Sequence, residues 1–340
     1  MKYLRYLLMW MLIYAGVSQA QDHMYSQFFN SPVYLNPALN GQFDADFRMN
    51  LIYRSQWTSV PGSLSYITAS ADYNIPKFGG GVGLLFTRAN EGTAYFVRNN
   101  LAGIYSYSVG SDNYVLSFGL QAGISNRSID RGKLVFGDQI DPTLGYIPGS
   151  VSAADLGQLN NRFYFDSGAG VNLVVGEFMV GSALQHINRP NDSFTGTPSK
   201  LPMRATAHVS YRINTNRYSN GDDNDSYFIP SVVLYKQGSA SSINAGVQYK
   251  RRGVNAGVWY RNGGTDGPSA FVVSFIFDLF INKEGAEKIR FGISHDAPTS
   301  KLNYSNTSGT TEGSLSYETT TPSRNEDHKF QGSRRCYDFY

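Results

Sequence analysis

The stretch Tyr114-Val115-Leu116-Ser117-Phe118-Gly119-Leu120-Gln121-Ala122-Gly123-Ile124 sorts into two sets of alternate residues. Tyr114, Leu116, Phe118, Leu120, Ala122 and Ile124 are apolar or aromatic, while Val115, Ser117, Gly119, Gln121 and Gly123 are mostly small or polar. A period of two belongs to a strand, whose successive Cβ atoms leave opposite faces. Met203 to Asn214 divides the same way, with Met203, Ala205, Ala207, Val209, Tyr211 and Ile213 against Arg204, Thr206, His208, Ser210, Arg212 and Asn214. The pattern recurs from Phe47 to Tyr317, so the chain reads as sheet with one oily and one wet face.

The first twenty residues indicate which solvent the oily face meets. Lys2 and Arg5 form a basic start, Tyr6 to Val17 is almost wholly apolar, and Ser18-Gln19-Ala20 ends in a small residue. These are the three parts of an export signal, with Gln21 as the expected first residue after cleavage. The apolar run is shorter than the roughly 20 residues a spanning helix requires. No cysteine follows the cleavage position, so a lipoprotein start is not expected.

Composition agrees with a membrane barrel. The 340 residues include 35 Gly, 24 Tyr and 21 Phe with only 16% charged, yet the mean hydropathy is -0.31. Only alternate residues of a transmembrane strand face lipid, so such a chain is aromatic without being hydrophobic on average. Without Lys2 and Arg5, 27 basic residues of the 29 face 26 acidic ones. That balance gives no sign of a nucleic-acid binder. The single cysteine, Cys336, rules out an internal disulfide and a cysteine-based metal site.

About fourteen antiparallel strands of spanning length are expected, near 46-57, 63-74, 79-88, 95-109, 113-126, 162-175, 177-188, 201-215, 226-236, 241-251, 253-261, 268-281, 286-296 and 312-319. The fold class is therefore all-β, a transmembrane outer-membrane β-barrel. An even count returns both ends to one side, so both termini are expected in the periplasm. Tight connections at Gly110-Ser111-Asp112, Gly176-Glu177 and Arg251-Arg252-Gly253 alternate with long ones at 127–161, 189–200 and 262–267. The acidic stretch Asn216 to Asp225 is long where a short turn is expected. The organisation is a signal peptide (1–20), an N-terminal periplasmic or plug segment (21–45), the barrel (46–319) and a polar periplasmic tail (320–340), for which solvated disorder is the default.

The pattern also assigns faces. Phe163, Phe165, Ala169, Val171, Leu173 and Val175 form an outer stripe, as do Phe271, Val273, Phe275, Phe277 and Leu279. Arg48, Arg54, Asp72, Arg98, Arg204, Arg212, Lys250, Arg261 and Arg290 are assigned inward, where a salt-bridged filling competes with a guest-binding or conducting lumen.

Catalytic patterns are thin. A barrel hydrolase needs a serine beside an oriented histidine, and His186 in Gln185-His186-Ile187-Asn188 is tied to no serine by sequence. His208 reads as a lumen polar residue. The histidines at 23, 186, 208, 295 and 328 lack metal-ligand spacing. Asp222-Asp223-Asn224-Asp225 has the oxygen ligands a hard cation favours, but reads more simply as a solvated turn. Gly79-Gly80-Gly81-Val82-Gly83 precedes no helical pattern and is no phosphate cradle; its glycines are expected to keep a crowded lumen open and to relieve strand curvature. No cofactor is expected.

Gln21-Asp22-His23-Met24-Tyr25-Ser26-Gln27-Phe28-Phe29-Asn30-Ser31-Pro32, then Leu35-Asn36-Pro37-Ala38-Leu39-Asn40-Gly41, resembles the opening of the PorP/SprF family of Bacteroidetes outer-membrane proteins. Tyr53-Arg54-Ser55-Gln56-Trp57 with Pro61-Gly62, and Arg334-Arg335-Cys336-Tyr337-Asp338-Phe339 at the end, resemble further blocks of that family. Asn40 and the terminal Tyr340 depart from it. The resemblance implies a non-enzymatic component of type IX secretion that assists export or surface attachment of adhesins, including gliding-type cargo. Its implied partners are a secreted adhesin with a C-terminal targeting domain, other secretion components in the periplasm and outer membrane, and lipid. The residues it marks for partner binding are Tyr25, Gln27, Asn30, Asn36, Pro37, Gly41, Arg54, Gln56, Trp57, Arg334 and Arg335. Turn-forming Asn30, Pro32, Asn36, Pro37 and Gly41 make the opening segment a fixed irregular peptide, which either plugs the barrel or docks a partner. The competing reading is a small-solute channel of porin or fatty-acid-transporter type.

Overall fold

The structure is a computed structural model that describes residues 22–75, 79–92, 96–129, 134–153, 161–193, 198–215, 226–264, 269–281, 287–299, 304–320 and 335–339. The expected signal peptide, Gln21, the acidic turn at 222–225, His328 and Arg334 lie outside them.

Alternation becomes fourteen long strands: β1 (Phe47–Gln56), β2 (Leu64–Ile75), β3 (Gly80–Glu91), β4 (Phe96–Ser111), β5 (Tyr114–Ile129), β6 (Arg162–Val175), β7 (Phe178–Gln185), β8 (Arg204–Tyr211), β9 (Ser226–Gln237), β10 (Ala240–Arg251), β11 (Val254–Asn262), β12 (Ala270–Phe280), β13 (Lys288–Pro298) and β14 (Thr310–Thr319). Each pairs antiparallel with its sequence neighbours, and β1 closes on β14 with Phe47 opposite Thr319 and Gln56 opposite Thr310. Closure gives each of these fourteen strands a partner on both sides, as a hydrocarbon environment requires of spanning backbone. No helix among the described residues is long and apolar enough to cross a membrane.

Two strands are shorter than the alternation predicts. β8 starts at Arg204 rather than 201, because Pro202 has no N–H to donate and Leu201 N–H bonds the Pro190 carbonyl at 2.8 Å. The ladder breaks again at Arg212, whose N–H turns to the Glu177 carbonyl at 2.9 Å, and resumes over Ile213–Asn214. β7 stops at Gln185 because His186 and Arg189 adopt left-handed φ values of 57° and 45° that turn the chain away.

The connections define two mouths. Asp112-Asn113, Gly176-Glu177 and Arg252-Gly253 close tight turns at one, where β1 begins and β14 ends. The long β5–β6 and β7–β8 connections lie at the other, together with one short turn, Gly238-Ser239, between β9 and β10. We call them the tight-turn and loop-side mouths.

The outer face carries Phe163, Phe165, Val175, Phe271, Val273, Phe275, Phe277 and Leu279, all exposed. Around a closed barrel such an apolar belt is a lipid surface. Facing inward, Arg48, Arg54, Asp72, Arg204, Arg212, Arg261 and Arg290 are buried. The inner wall is not uniformly polar, however. Val174, Ile229, Val233, Trp259 and Val272 also point inward and form one apolar cluster.

Candidate functional site

What those inward residues pack against is the N-terminal segment itself. Residues 22–46 run down the lumen as short turns, Phe28–Asn30, Pro32–Leu35 and Pro37–Leu39, and are almost entirely buried. Prolines at the first position of the last two turns lose no needed donor and preset φ. Asn36 Oδ1 accepts the Ala38 N–H at 2.9 Å while its Nδ2 donates to the Val171 carbonyl at 3.0 Å. One side chain thus caps a turn and ties it to the wall.

Glycines of the wall make room for this filling. A Cβ on Gly119 would overlap the Pro37 backbone, and one on Gly170 would overlap the Asn36 amide. Gly41, at φ 65°, sits with its Cα against Gly81, where neither residue tolerates a side chain. The expectation that Gly79 to Gly83 keep a lumen open is therefore corrected for Gly81 and Gly83, which admit the backbone of Gly41 and the side chain of Asn40.

Backbone groups of the segment find charged partners on the wall. Ser26 and Gln27 N–H groups donate to the Glu312 carboxylate at 2.8–3.0 Å. Glu312 and Asp296 together neutralise Arg54 and Arg261, with Arg54 Nη1 at 3.3 Å from Asp296. Nearer the tight-turn mouth, Arg48 pairs with Asp72 at 2.7 Å, and Gly41 N–H donates to the same carboxylate at 2.8 Å. The salt-bridged filling is thus present among these residues, with the segment's own N–H groups built into it.

At the loop-side mouth the segment is held by Asp22. Its carboxylate lies 2.6 Å from Arg98 on β4 and 2.6 Å from His186 Nε2, while His186 Nδ1 meets Asp166 at 2.9 Å. Burial alone would push the His186 imidazole down, but the carboxylates of Asp22 and Asp166 outweigh it and lift the group to about 9. Burial likewise raises the Asp22 carboxyl, and Arg98 and His186 more than reverse this, holding it well below the usual range. Both ring nitrogens of His186 are taken by carboxylates, so neither is placed to activate a serine hydroxyl.

Asp22 and Thr319 consequently lie at opposite mouths: Asp46, at the start of β1, donates its N–H to the Thr319 carbonyl at 3.1 Å, whereas Asp22 reaches Gln237 at the far end of β9. This departs from the expectation that both ends of the processed chain share one side. The physical reason is the depth to which the lumen accepts residues 22–46.

The tail departs as well. Cys336–Phe339 forms a single turn inside the tight-turn mouth, where Phe339 and Cys336 join Leu39, Val174, Met179 and Ile229 in the apolar cluster. Gln248 Nε2 donates to the Phe339 carbonyl at 2.8 Å and Arg212 faces Asp338 at 3.4 Å. Solvated disorder does not describe these residues, because an apolar wall is available to bury them.

The β5–β6 connection is exposed in a different way. Over residues 134–153 it forms a turn at Gly137–Gln139 and a small hairpin pairing Ile140 with Tyr146. Gln139 Nε2 donates to the Ser150 carbonyl at 2.6 Å. Asp138 accepts from Ser152 at 2.8 Å and Ala153 N–H at 2.6 Å, and these donors hold its carboxyl below the ordinary value. Asp141 caps Thr143 and Leu144 likewise. On this fixed scaffold Val135, Ile140, Tyr146 and Ile147 are exposed, Leu144 is 80% exposed and Val151 93%.

Of the residues marked from sequence, Tyr25, Gln27, Asn30, Asn36, Pro37, Gly41 and Arg54 come together inside the lumen, all buried. Gln56 and Trp57 lie at the loop-side mouth, Arg335 is half-buried in the tail, and Arg334 is outside the described residues. Sequence reading missed Asp22, Asp166, Asp296 and Glu312 as anchors. A faint signal existed, since carboxylates assigned inward had to match the inward arginines. No group of three or more His, Cys, Asp or Glu side chains among the described residues is arranged to hold a metal.

Comparison with known proteins adds one specific match. The family profile described as "Type IX secretion system membrane protein PorP/SprF" matches residues 17–317. No curated protein matches the chain. Among solved structures the chain is similar to the Acinetobacter baumannii outer membrane protein Omp33, at 9% identity over 82% of this chain and 100% of that one, with a TM-score of 0.38. It is also similar to the TodX deltaS2S3 mutant monoaromatic hydrocarbon channel, at 11% identity over 86% of this chain and 94% of that one, TM-score 0.45. A mutant of Rh. blastica porin gives 8% identity over 80% and 98%, TM-score 0.33.

Proposed function

Because the chain belongs to the PorP/SprF family of type IX secretion system membrane proteins, we propose that it is a non-enzymatic outer-membrane accessory that binds the C-terminal targeting domain of an exported adhesin, gliding-type cargo included. The observation that carries this reading is the loop over residues 134–153. Its backbone is fixed by Asp138, Gln139 and Asp141, yet it presents Val135, Ile140, Leu144, Tyr146, Ile147 and Val151 to solvent. Apolar groups held out on a rigid frame mark a protein-binding surface, since ordering costs are already met before the partner arrives.

On this reading Gln56 and Trp57, at the same mouth, remain accessible to cargo. Tyr25, Gln27, Asn30, Asn36, Pro37, Gly41 and Arg54 act from inside, as the packing that fixes the segment. Contacts with periplasmic secretion components fall to the tight-turn mouth and the tail that ends there. Processing of the export signal before Gln21 and placement in the outer membrane are parts of the same proposal.

The test is capture of an adhesin targeting domain by the purified barrel. Wild type retains it, and the double substitution Leu144→Asp with Val151→Asp weakens retention by about tenfold or more, as loss of a central apolar contact does. Unchanged retention by that variant, or normal export and attachment of every surface adhesin after gene deletion, overturns the reading. The small-solute channel is the second reading. The lumen filled by residues 22–46 and 335–339 disfavours it, and a steady open conductance from purified protein in bilayers would restore it.

A further inference from the structure

A cavity of about 360 Å³ opens at the loop-side mouth beside the start of the buried segment. Among its lining residues are Asp22 and Met24 of the segment, Trp57, Arg204, Tyr235 and Ser242 of the wall, and the exposed Lys236. This volume lies in the range of roughly 300–1,000 Å³ typical of small-ligand sites. The Gly238-Ser239 turn borders it, so this sector of the mouth is covered by the shortest connection on that side.

The charge arrangement is uneven. Arg54 and Arg261 are neutralised by Glu312 and Asp296, and Asp22 is engaged by Arg98 and His186. Arg204, 3% exposed, has no carboxylate within ion-pair distance among the described residues. Its Nη1 donates to the Tyr34 hydroxyl at 2.7 Å, and its guanidinium stands over the Tyr34 ring at 4.6 Å and the Tyr235 ring at 5.4 Å. Its Nη2 has no partner among the described residues. Three more residues of the same wall carry buried atoms with no partner among the described residues: His23 Nδ1, Arg261 Nε and Ser242 Oγ. A buried cation with no carboxylate in contact is costly even where Asp22 lies nearby, and a guanidinium fixed between two rings is preorganised for a bidentate oxyanion.

We infer that this cavity binds an organic carboxylate, its anionic head paired with Arg204 and assisted by Ser242, its apolar or aromatic body lying among Met24, Trp57, Tyr66 and Tyr235. Trp57 gives independent support. It holds a left-handed φ of 59°, a conformation that a bulky side chain rarely adopts. Its N–H is fixed on the Gly309 carbonyl at 3.0 Å, so the backbone maintains strain that keeps an aromatic ring on the cavity's rim. The same chemistry is offered by a free acid and by the terminal carboxylate of a peptide.

Titration of the full-length processed protein in detergent distinguishes them, with calorimetry and Trp57 fluorescence as readouts. The probes are 3-phenylpropanoate for the free acid, N-acetylphenylalanine for a peptide terminus, and N-acetylphenylalaninamide as the uncharged control. At least one acid binds in the micromolar to millimolar range and the amide binds about tenfold or more weakly. The stronger acid identifies the source. Arg204→Lys keeps the charge but loses the planar fork, and weakens acid binding about tenfold. Ser242→Ala weakens it severalfold, with barrel folding checked by heat-modifiable electrophoretic mobility. Trp57→Phe abolishes the fluorescence response while the calorimetric signal persists. Equal binding of acid and amide, no binding of either acid, or acid binding unchanged in both Arg204→Lys and Ser242→Ala overturns the inference.

Discussion

At the tight-turn mouth Leu39, Val174, Met179, Ile229, Cys336 and Phe339 meet as an apolar cluster that continues inward to Phe28, Phe29 and Trp259. At the loop-side mouth the segment is secured by charges: Asp22 with Arg98 and His186, and Ser26 with Glu312, Asp296, Arg54 and Arg261. Apolar packing is dense and leaves no room. Ionic packing needs a partner for every group, and at this mouth it leaves both a cavity and an unmatched arginine. Apolar packing thus holds the tail at one mouth, and ionic packing leaves a cavity at the other.

The largest expected effect breaks the ionic side. Glu312→Leu removes the acceptor of two backbone N–H groups and leaves Arg54 and Arg261 to share Asp296 alone, at a cost of about 3–5 kcal/mol, read as a lowered denaturant midpoint in detergent. A shift under about 1 kcal/mol would show that water rescues the cluster and that the mouths differ less than their packing implies. On the apolar side Phe339→Ala costs about 3 kcal/mol, the low end for a buried ring, because a terminal turn relaxes easily. An intact midpoint would mean the tail contributes no closure.

The His186 latch sharpens the comparison by pH. Its folded value is raised to about 9 from an unfolded value of about 6.5. The stabilisation is therefore complete below about pH 6.5, falls as pH rises, and is lost above about pH 9, with a ceiling of about 3 kcal/mol. Apparent melting measured across that window should decline in wild type and stay flat in His186→Gln. A smaller effect is expected from Gly119→Ala, about 1–3 kcal/mol, since its Cβ would press on the Pro37 backbone. Smallest is Leu144→Ser on the exposed loop, within about 0.5 kcal/mol of wild type; only cargo binding should register it.

Strand order, register of faces and the inward arginines were legible because alternation is imposed by the backbone and by two different solvents. Met203 to Ile213 shows the limit. The period places Arg204 inward, but it does not say that Arg204 will stack on Tyr34 rather than meet a carboxylate, since Tyr34 lies 170 residues away in an irregular segment. Gly81, Gly83 and Gly119 were visible as inward glycines, and space for another backbone looks in sequence like empty space. The apolar inward set, Ile229, Val233 and Val272, was hidden for a related reason. Alternation sets Val272 opposite the stripe of Phe271 and Val273, but an apolar residue on the inner face has no evident use until its partners, Phe28 and Phe29, are seen.

Glu312 carries one more implication, concerning the order of assembly. It lies on β14, the last strand of the barrel, yet it holds Ser26 and Gln27 near the start of the segment, 286 and 285 residues earlier. Contacts so distant in sequence form late, after nearer strands have paired. The seam between β1 and β14 and the clamp on the inner segment are therefore completed by one arriving strand. A chain that closed its wall with residues 22–46 left outside would have Glu312, Arg54 and Arg261 without their third party, so a correctly threaded barrel differs from an empty one in free energy at the moment of closure.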